Sequence, residues 1–301
     1  MAPSLVILAA GMGSRYGGVK QIDQFGPNGE TILDYSIYDA LKAGFKKIVF
    51  VIRRELENDF KAVFGDKLKG HADVHFVFQE LDDLPQGFRA PADRKKPWGT
   101  AHAVLVAQQA VHEPFGVINA DDFYGQDAYQ TLADFLNRQP VTGNKYAIVG
   151  YRLNKTLSKH GSVSRGVCQV DAQGYLKEIV ERTKIYRKNE HIVYLDENEQ
   201  EKPIDGSVLV SMNMMGYTPT FFDYLNEYFG KFLKTNVNNS KAEFFLTWVL
   251  DELINTGKAK VKIVPTNEEW FGVTYKEDKP VVKEKIRQLI AAGKYPEKLW
   301  R

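Results

Sequence analysis

Two short stretches carry the residue types that phosphate chemistry needs, at spacings that could serve it. The first is LAAGMGSRYGGVKQ, Leu8 to Gln21, directly behind the apolar run SLVIL. Glycines at 11, 13, 17 and 18 let successive N–H groups turn toward an anion. Ala9, Ala10 and Gly11 have almost no side chain, so a base could lie against the backbone there. Arg15 can fork onto phosphate oxygens, and Lys20 can supply a point charge. The second stretch is INADDFYG, where Asp121 and Asp122 follow an apolar strand-like run. A hard dication such as Mg²⁺ wants carboxylate oxygen and takes one or two protein carboxylates plus phosphates and water.

Two familiar phosphate loops do not fit the first stretch. The dinucleotide fingerprint G-x-G-x-x-G is met at Gly11 and Gly13, but Tyr16 stands at the third glycine. That fold also wants an acidic residue after the second strand, where Arg53 and Arg54 occur. An NADP-linked oxidoreductase could use those arginines, but Tyr16 argues against it. The P-loop spacing is met at Gly13 and Gly18, but Val19 precedes Lys20 and Gln21 replaces the Ser/Thr that would hold magnesium.

The order L-A-A-G-x-G-x-R-x(n)-K is complete here, in Leu8, Ala9, Ala10, Gly11, Gly13, Arg15 and Lys20. It resembles the signature of the sugar-phosphate nucleotidylyltransferases, NTP transferases of glycosyltransferase-A-like fold such as the glucose-1-phosphate uridylyl- and thymidylyltransferases. The resemblance continues in order down the chain. Gln79 in FVFQ and the Gly99-Thr100-Ala101 run resemble the residues that read the base, with the helix after Gly99 aiming its N-terminus at an anion. Asp121 takes the place of the family's Mg²⁺-binding aspartate. Val180-Glu181-Arg182-Thr183 resembles the V-E-K-P element. That makes Glu181 a sugar contact and gives the sugar phosphate to Arg182, with Lys184 nearby. Asn213 in SMNMMGY resembles a further sugar contact, and Glu243 a glutamate that precedes a late helix. One departure stands out. The family closes its site with W-x-D-x-G-T, whose aspartate is a second metal ligand, and here Gly272 stands at that position in Trp270-Phe271-Gly272. The resemblance therefore implies transfer of a nucleotide from an NTP to a sugar 1-phosphate with Mg²⁺ and release of pyrophosphate. Its alternatives are a nucleotide or nucleotide-sugar binding protein impaired in catalysis, or transfer to a non-sugar phosphate.

The elements that must hold these residues are legible as alternating patterns. SLVILAA, KKIVFVI, HFVFQ, FGVINADD and KYAIVGY read as strands. TILDYSIYDALKAG, RELENDFKAVFG and GTAHAVLVAQQAV read as the helices between them. This predicts an α/β, Rossmann-like, mainly parallel mixed sheet flanked by helices. After Tyr151, shorter strands predict a smaller β-rich, sugar-binding part, followed by the helices PTFFDYLNEYFGKFL and AEFFLTWVLDELINTG and the strand KAKVKIV. Residues 1–275 are expected to form one nucleotidyltransferase domain, with 1–125 its nucleotide-binding half and 126–275 its sugar-phosphate half. Residues 276–301 are expected to pack on it as a C-terminal helix. The segment from Leu81 to Trp98 is the longest irregular stretch, a candidate lid or a disordered loop.

Composition narrows the partners. The chain has 301 residues, 44% hydrophobic and 26% charged, with a net charge of +2. Nothing global points to nucleic acid or a membrane, so NTP and sugar 1-phosphate are the expected partners. Cys168 is the only cysteine, which excludes an intrachain disulfide and a cysteine zinc site and suits the cytoplasm. His102, His112 and His160 show no metal-ligand spacing and read as structural or surface residues. The aromatic run FFDYLNEYF reads as a core or subunit-contact face, leaving a homo-oligomer open.

Overall fold

The computed structural model describes residues 1–11, 23–158, 161–273 and 278–300. Its first half builds a parallel sheet from β1 (Ser4–Leu8), β2 (Lys47–Ile52), β3 (Asp73–Phe78) and β4 (Phe115–Asn119). The helices α1 (Ile32–Lys42), α2 (Glu57–Phe60) and α3 (Thr100–Leu105) connect them. A short strand β5 (Asp122–Phe123) and helix α4 (Gln126–Leu136) lead into β6 (Lys145–Arg152). A run of antiparallel strands follows: β7 (Val163–Val170), β8 (Leu176–Lys188), β9 (His191–Leu195), β10 (Glu201–Pro203) and β11 (Leu209–Tyr217). The chain closes with α5 (Thr220–Asn236), α6 (Leu246–Asn255), β12 (Lys260–Pro265), β13 (Phe271–Gly272) and α7 (Lys279–Ala291).

The main sheet runs β10-β9-β8-β7-β11-β4-β1-β2-β3, with β6 on the other edge of β11 and β12 parallel to β6. The expected mixed, mainly parallel sheet with a β-rich extension is what forms. Strand period explains why both faces are covered. Ile48, Phe50 and Ile52 of β2 point into one core, with α1 and α4, and Val49 and Val51 into the other, with α3, α5 and α6. Strand β11 is the junction. On one edge it pairs first with β7 through Val210 and Ser211, then with β4 through Met215–Tyr217. The register breaks between Ser211 and Met215, and Asn213 sits in that break with a left-handed φ of 60°.

Local sequence sets the ends of α1. Thr31 and Asp34 form a reciprocal capping box, and Gly44, at φ 98°, follows the last turn. The expected helix RELENDFKAVFG instead divides into a 3₁₀ turn, the single α-turn α2 and a π-turn at Lys61–Gly65. Phe60 and Phe64 both pack against Phe50, Phe60 edge-on and Phe64 stacked.

The C-terminal helix and tail pack on α1 and the β5–β13 ribbon. Val282 and Ile286 join Phe25, Ile32, Phe123 and Phe271 in a third core. Trp300 Nε1 donates to Asp34, and the Tyr295 hydroxyl donates to buried Asp39 at 2.6 Å. Burial pushes the Asp39 carboxyl up to about 8, the Tyr295 hydrogen bond opposing that only in part. An unfolded aspartate titrates near 3.9, so between these values the folded chain holds a proton that the unfolded chain has lost. The contribution of Asp39 to stability is therefore full below about pH 4 and is lost as pH rises through about 8. Asp39→Asn keeps an oxygen for Tyr295 and removes the buried charge. Thermal melts are expected to show D39N closest to the wild type at about pH 4 and exceeding it increasingly up to pH 9.

Candidate active site

The site assembles where parallel strands end, the place such sheets present ligands. β1 lies between β2 and β4, with Leu8 opposite both Val51 and Asn119. Two further backbone bonds, Ala9 N to Val51 O and Ala120 N to Leu8 O, lock the three tips together. Gly11 and Asp121 thus leave the sheet from neighbouring strands. Ala9 and Ala10 are buried, and among the described residues a Cβ at Gly11 would meet nothing within 4 Å. Gly13, Arg15 and Lys20 lie outside the described residues.

Gln79 follows β3, fixed by its N–H to Ile52 O. Its Nε2 donates to Gly99 O at 3.0 Å and lies 3.3 Å from Nδ1 of His102. The other ring nitrogen of His102 is 3.0 Å from Asp83 O and must be the one carrying the proton. Burial holds the His102 pKa below the ordinary value, which keeps the ring neutral and able to accept from Gln79. His102, read from sequence as structural, is indeed so, and its task is to orient Gln79. Nε2 of Gln79 is thus engaged within the fold.

The neighbouring Gly99-Thr100 element works differently from expectation. Gly99, at φ 108°, packs backbone against backbone, and a Cβ there would come within 2.5 Å of Phe244 O. Thr100 Oγ1 accepts from Leu246 N and so serves α6. Ala101 N, in the first turn of α3, already donates to Phe244 O. The helix start is filled by its own chain, and α3 has only six residues. The Leu81–Trp98 segment is likewise no disordered loop. Buried Arg94 donates to four carbonyls, on Lys96, Pro97, Asn239 and Ala242, and stacks on buried Trp98 at 3.5 Å. Glu243, at the other end of this contact, is ion-paired with Lys96 at 2.5 Å.

Asp121 and Asp122 divide their roles by strand alternation. Asp122 is buried, and its Oδ2 accepts from Asn119 Nδ2 at 3.0 Å and the Tyr124 hydroxyl at 3.3 Å. Asp121 is half-buried at the tip itself. The ribbon β5–β13 sets Gly272 directly opposite Asp122, with Phe123 stacked on Phe271 at 4.3 Å. A Cβ at 272 would sit 2.6 Å from Asp122 Oδ1 and 3.0 Å from the Trp270 ring. The carboxylate of Asp122 therefore occupies the space that a side chain at 272 would need. One half-buried carboxylate at the tip, with the rest of the sphere left to phosphates and water, fits the sparse protein ligation that Mg²⁺ accepts.

The remaining candidate residues lie on β8 and β11, beside β7 in the sheet. Glu181 lies opposite Gly166 on the β7–β8 ladder, and Asn213 is exposed at the β11 bulge. Lys184 has a left-handed φ of 51° and pairs with Glu199 at 3.0 Å on the outer hairpin. Arg182 stacks on Tyr194 of β9 at 4.8 Å. Arg165, which the sequence reading passed over, is held against Trp270 at 4.9 Å, within electrostatic reach of Asp122 and Glu181. The one signal for it was an arginine directly before a strand glycine, too common to single out.

Open α/β sheets bind their ligands outside the carboxyl ends of the strands, where Gly11 and Asp121 lie. A family model described as nucleotidyl transferase matches residues 4–278, and the chain belongs to that family. It is 24% identical over 268 residues to the bifunctional protein GlmU of Acetivibrio thermocellus. That match covers 87% of this chain and 47% of the relative, so the chain spans about half the relative's length. Two solved structures share the fold. The inositol-1-phosphate CTP transferase of T. maritima has a TM-score of 0.61 at 16% identity, over 95% of this chain and 97% of that one. A UDP-glucose pyrophosphorylase complexed with UDP-glucose has a TM-score of 0.60 at 17% identity, over 96% and 99%. Among the described residues, no helix is long and apolar enough to cross a membrane.

Proposed function

We propose that this nucleotidyltransferase joins an NTP to a sugar 1-phosphate and releases pyrophosphate, giving a nucleotide sugar. The observation that carries the reading is that Gly11 and Asp121 leave neighbouring strand tips, β1 and β4, locked together by the Ala120 N to Leu8 O bond. A nucleotide resting on Leu8–Gly11 would take Arg15 and Lys20, later in the same sequence motif, as partners for its phosphates, and a hydroxyl-rich acceptor would take Glu181 and Asn213.

No nucleophilic side chain is needed. A phosphate monoester has a second pKa of about 6 and is a dianion at neutral pH. Its oxygen attacks the α-phosphorus in line; a new P–O bond forms, the α–β bridge breaks, and pyrophosphate leaves with the electron pair. The protein's work is alignment and charge neutralisation. Arg15 stabilises the leaving pyrophosphate, and Lys20 holds the α-phosphate against the incoming oxygen. Asp121 would hold Mg²⁺, which supplies further neutralisation of phosphate charge when bound.

Aimed at ring position 3, the Gln79 oxygen would favour uracil and thymine, whose N3 carries a proton, over cytosine, whose N3 is an acceptor and whose N–H donor lies at N4. Gln79→Leu is expected to narrow that preference by about tenfold in kcat/KM, the worth of one hydrogen bond to a buried partner. Rates for UTP, dTTP and CTP with one acceptor check this.

The test of the reaction is mass-spectrometric detection of a nucleotide sugar formed only when NTP, sugar 1-phosphate and Mg²⁺ are all present. The rival reading, a binding protein without turnover, is favoured by Gly272. It expects thermal stabilisation by NTP and no product.

A further inference from the structure

The strand tip that carries Asp121 is followed by a ribbon too short to hold itself. Strands β5 and β13 have two residues each, and an isolated two-stranded ribbon is marginally stable at best in water. On the β4 side the tip is fixed by the bond from Ala120 N to Leu8 O. Beyond Asp122, contacts that hold the chain come from the last residues of the protein.

Tyr295 is buried in the third core, with Phe123 and Phe271 of the ribbon. Its ring meets Phe123 edge to face at 6.1 Å, and Phe123 also stacks on Phe271 at 4.3 Å. The same ring stands edge-on to Tyr35 of α1 at 5.0 Å, and its hydroxyl donates to Asp39 on that helix. Helix α1 reaches the tip too, because Ser36 Oγ donates to Asp122 O at 3.3 Å. Beside Tyr295, the carbonyl of Lys294 accepts from Gln126 Nε2 at 2.9 Å. Lys294 Nζ lies 3.5 Å from Glu268, whose Oε1 accepts from Asp127 N in the first turn of α4. The tail therefore holds the segment after Asp121 at two points, by a ring at Phe123 and by a backbone carbonyl at Gln126.

We propose that Tyr295 is a positioning residue for Asp121: the C-terminal tail grips Phe123 and so sets where the carboxylate two residues earlier stands. A metal site that draws on few protein carboxylates depends closely on where each is held. The role of Asp121 rests on the transferase reading, whereas the grip rests on the contacts of Tyr295 and Lys294.

The experiment compares Y295L, which removes the ring, with Y295F, which keeps the ring and loses the bond to Asp39. V249A, in the separate core that holds α5 and α6, controls for a general loss of stability. Each variant is first shown folded by its melting curve, and Y295M replaces Y295L if the latter does not fold. Amide exchange of residues 121–126 is followed by mass spectrometry, and Mn²⁺ affinity by paramagnetic resonance alongside D121A. Y295L is expected to speed exchange of the segment about tenfold, through loss of an aromatic contact from a marginal ribbon. It should weaken Mn²⁺ binding about tenfold, the scale on which a metal site responds to loss of the groups that orient its ligands. Y295F should stay within about threefold of the wild type in both readouts, and V249A within about twofold. With an active substrate pair, the Mg²⁺ concentration for half-maximal rate should rise by the same factor in Y295L, and the rate should recover at saturating Mg²⁺. Exchange in Y295L within about twofold of the wild type overturns the proposal, as does equal loosening in Y295F or V249A. Unchanged Mn²⁺ affinity in Y295L, where D121A abolishes it, overturns it as well. If D121A leaves Mn²⁺ binding intact while Y295L still frees the segment, the metal role of Asp121 fails and the grip stands.

Discussion

Asp121→Ala is expected to lower Mg²⁺-dependent turnover by roughly 10³-fold, the scale seen when one preorganised electrostatic group is removed from a transition state. The reasoning starts from position. Asp121 leaves β4 immediately after Ala120, whose N–H is tied to Leu8 O, so its carboxylate is carried by the same strand pair that carries Gly11. Its neighbour Asp122 cannot take over, because one of its oxygens is engaged by Asn119 and Tyr124 inside the fold and the other abuts Gly272. The substitution removes a half-buried carboxylate at a strand tip and no core packing. Mn²⁺ binding, followed by paramagnetic resonance, should be lost with the activity in a variant whose melting curve shows it folded. Loss of activity with Mn²⁺ binding intact would place the metal elsewhere.

Gly272→Asp is expected to damage the enzyme, although the family pattern W-x-D would suggest that it restores a ligand. The new Cβ would fall 2.6 Å from Asp122 Oδ1 and 3.0 Å from Trp270, closer than real Cβ contacts allow. Relief requires the Asp122 carboxylate to move, and with it the bonds to Asn119 and Tyr124 that shape the tip. Overpacking of this kind costs about 1–3 kcal/mol. The second carboxylate adds like-charge repulsion at the same point. Gly272→Ala separates the two, since it brings the Cβ without the charge. Both variants should melt below the wild type and turn over more slowly, G272D more severely. A gain of activity in G272D would show that Asp122 yields its place freely.

How much of this was legible in the sequence depends on the range of the contacts. The strand that launches the glycine loop, the strand that ends at Asp121 and the capped helix from Thr31 are local patterns, and each appears as expected. So do the strands that carry Glu181 and Asn213. Long-range contacts were not visible. Nothing in GTAHAV says that Phe244 will fill the start of α3 or that Thr100 will serve α6. Nothing in the Asp/Pro/Arg/Lys-rich stretch says that Arg94 will bind carbonyls of Asn239 and Ala242 across the fold. The meaning of Gly272 emerges only from the ribbon that sets it against Asp122. Arg165 looks like one charge on an exposed strand until Trp270 is placed against it.

The measurement that bears most directly on the central claim is pyrophosphate release with Mg²⁺, for a set of NTPs against a panel of sugar 1-phosphates, in the wild type and in D121A. Release is expected for at least one pair, dependent on both substrates and abolished in D121A. Silence across the panel, with NTP still stabilising the folded wild type, would contradict it and leave a protein that binds nucleotides without transferring them.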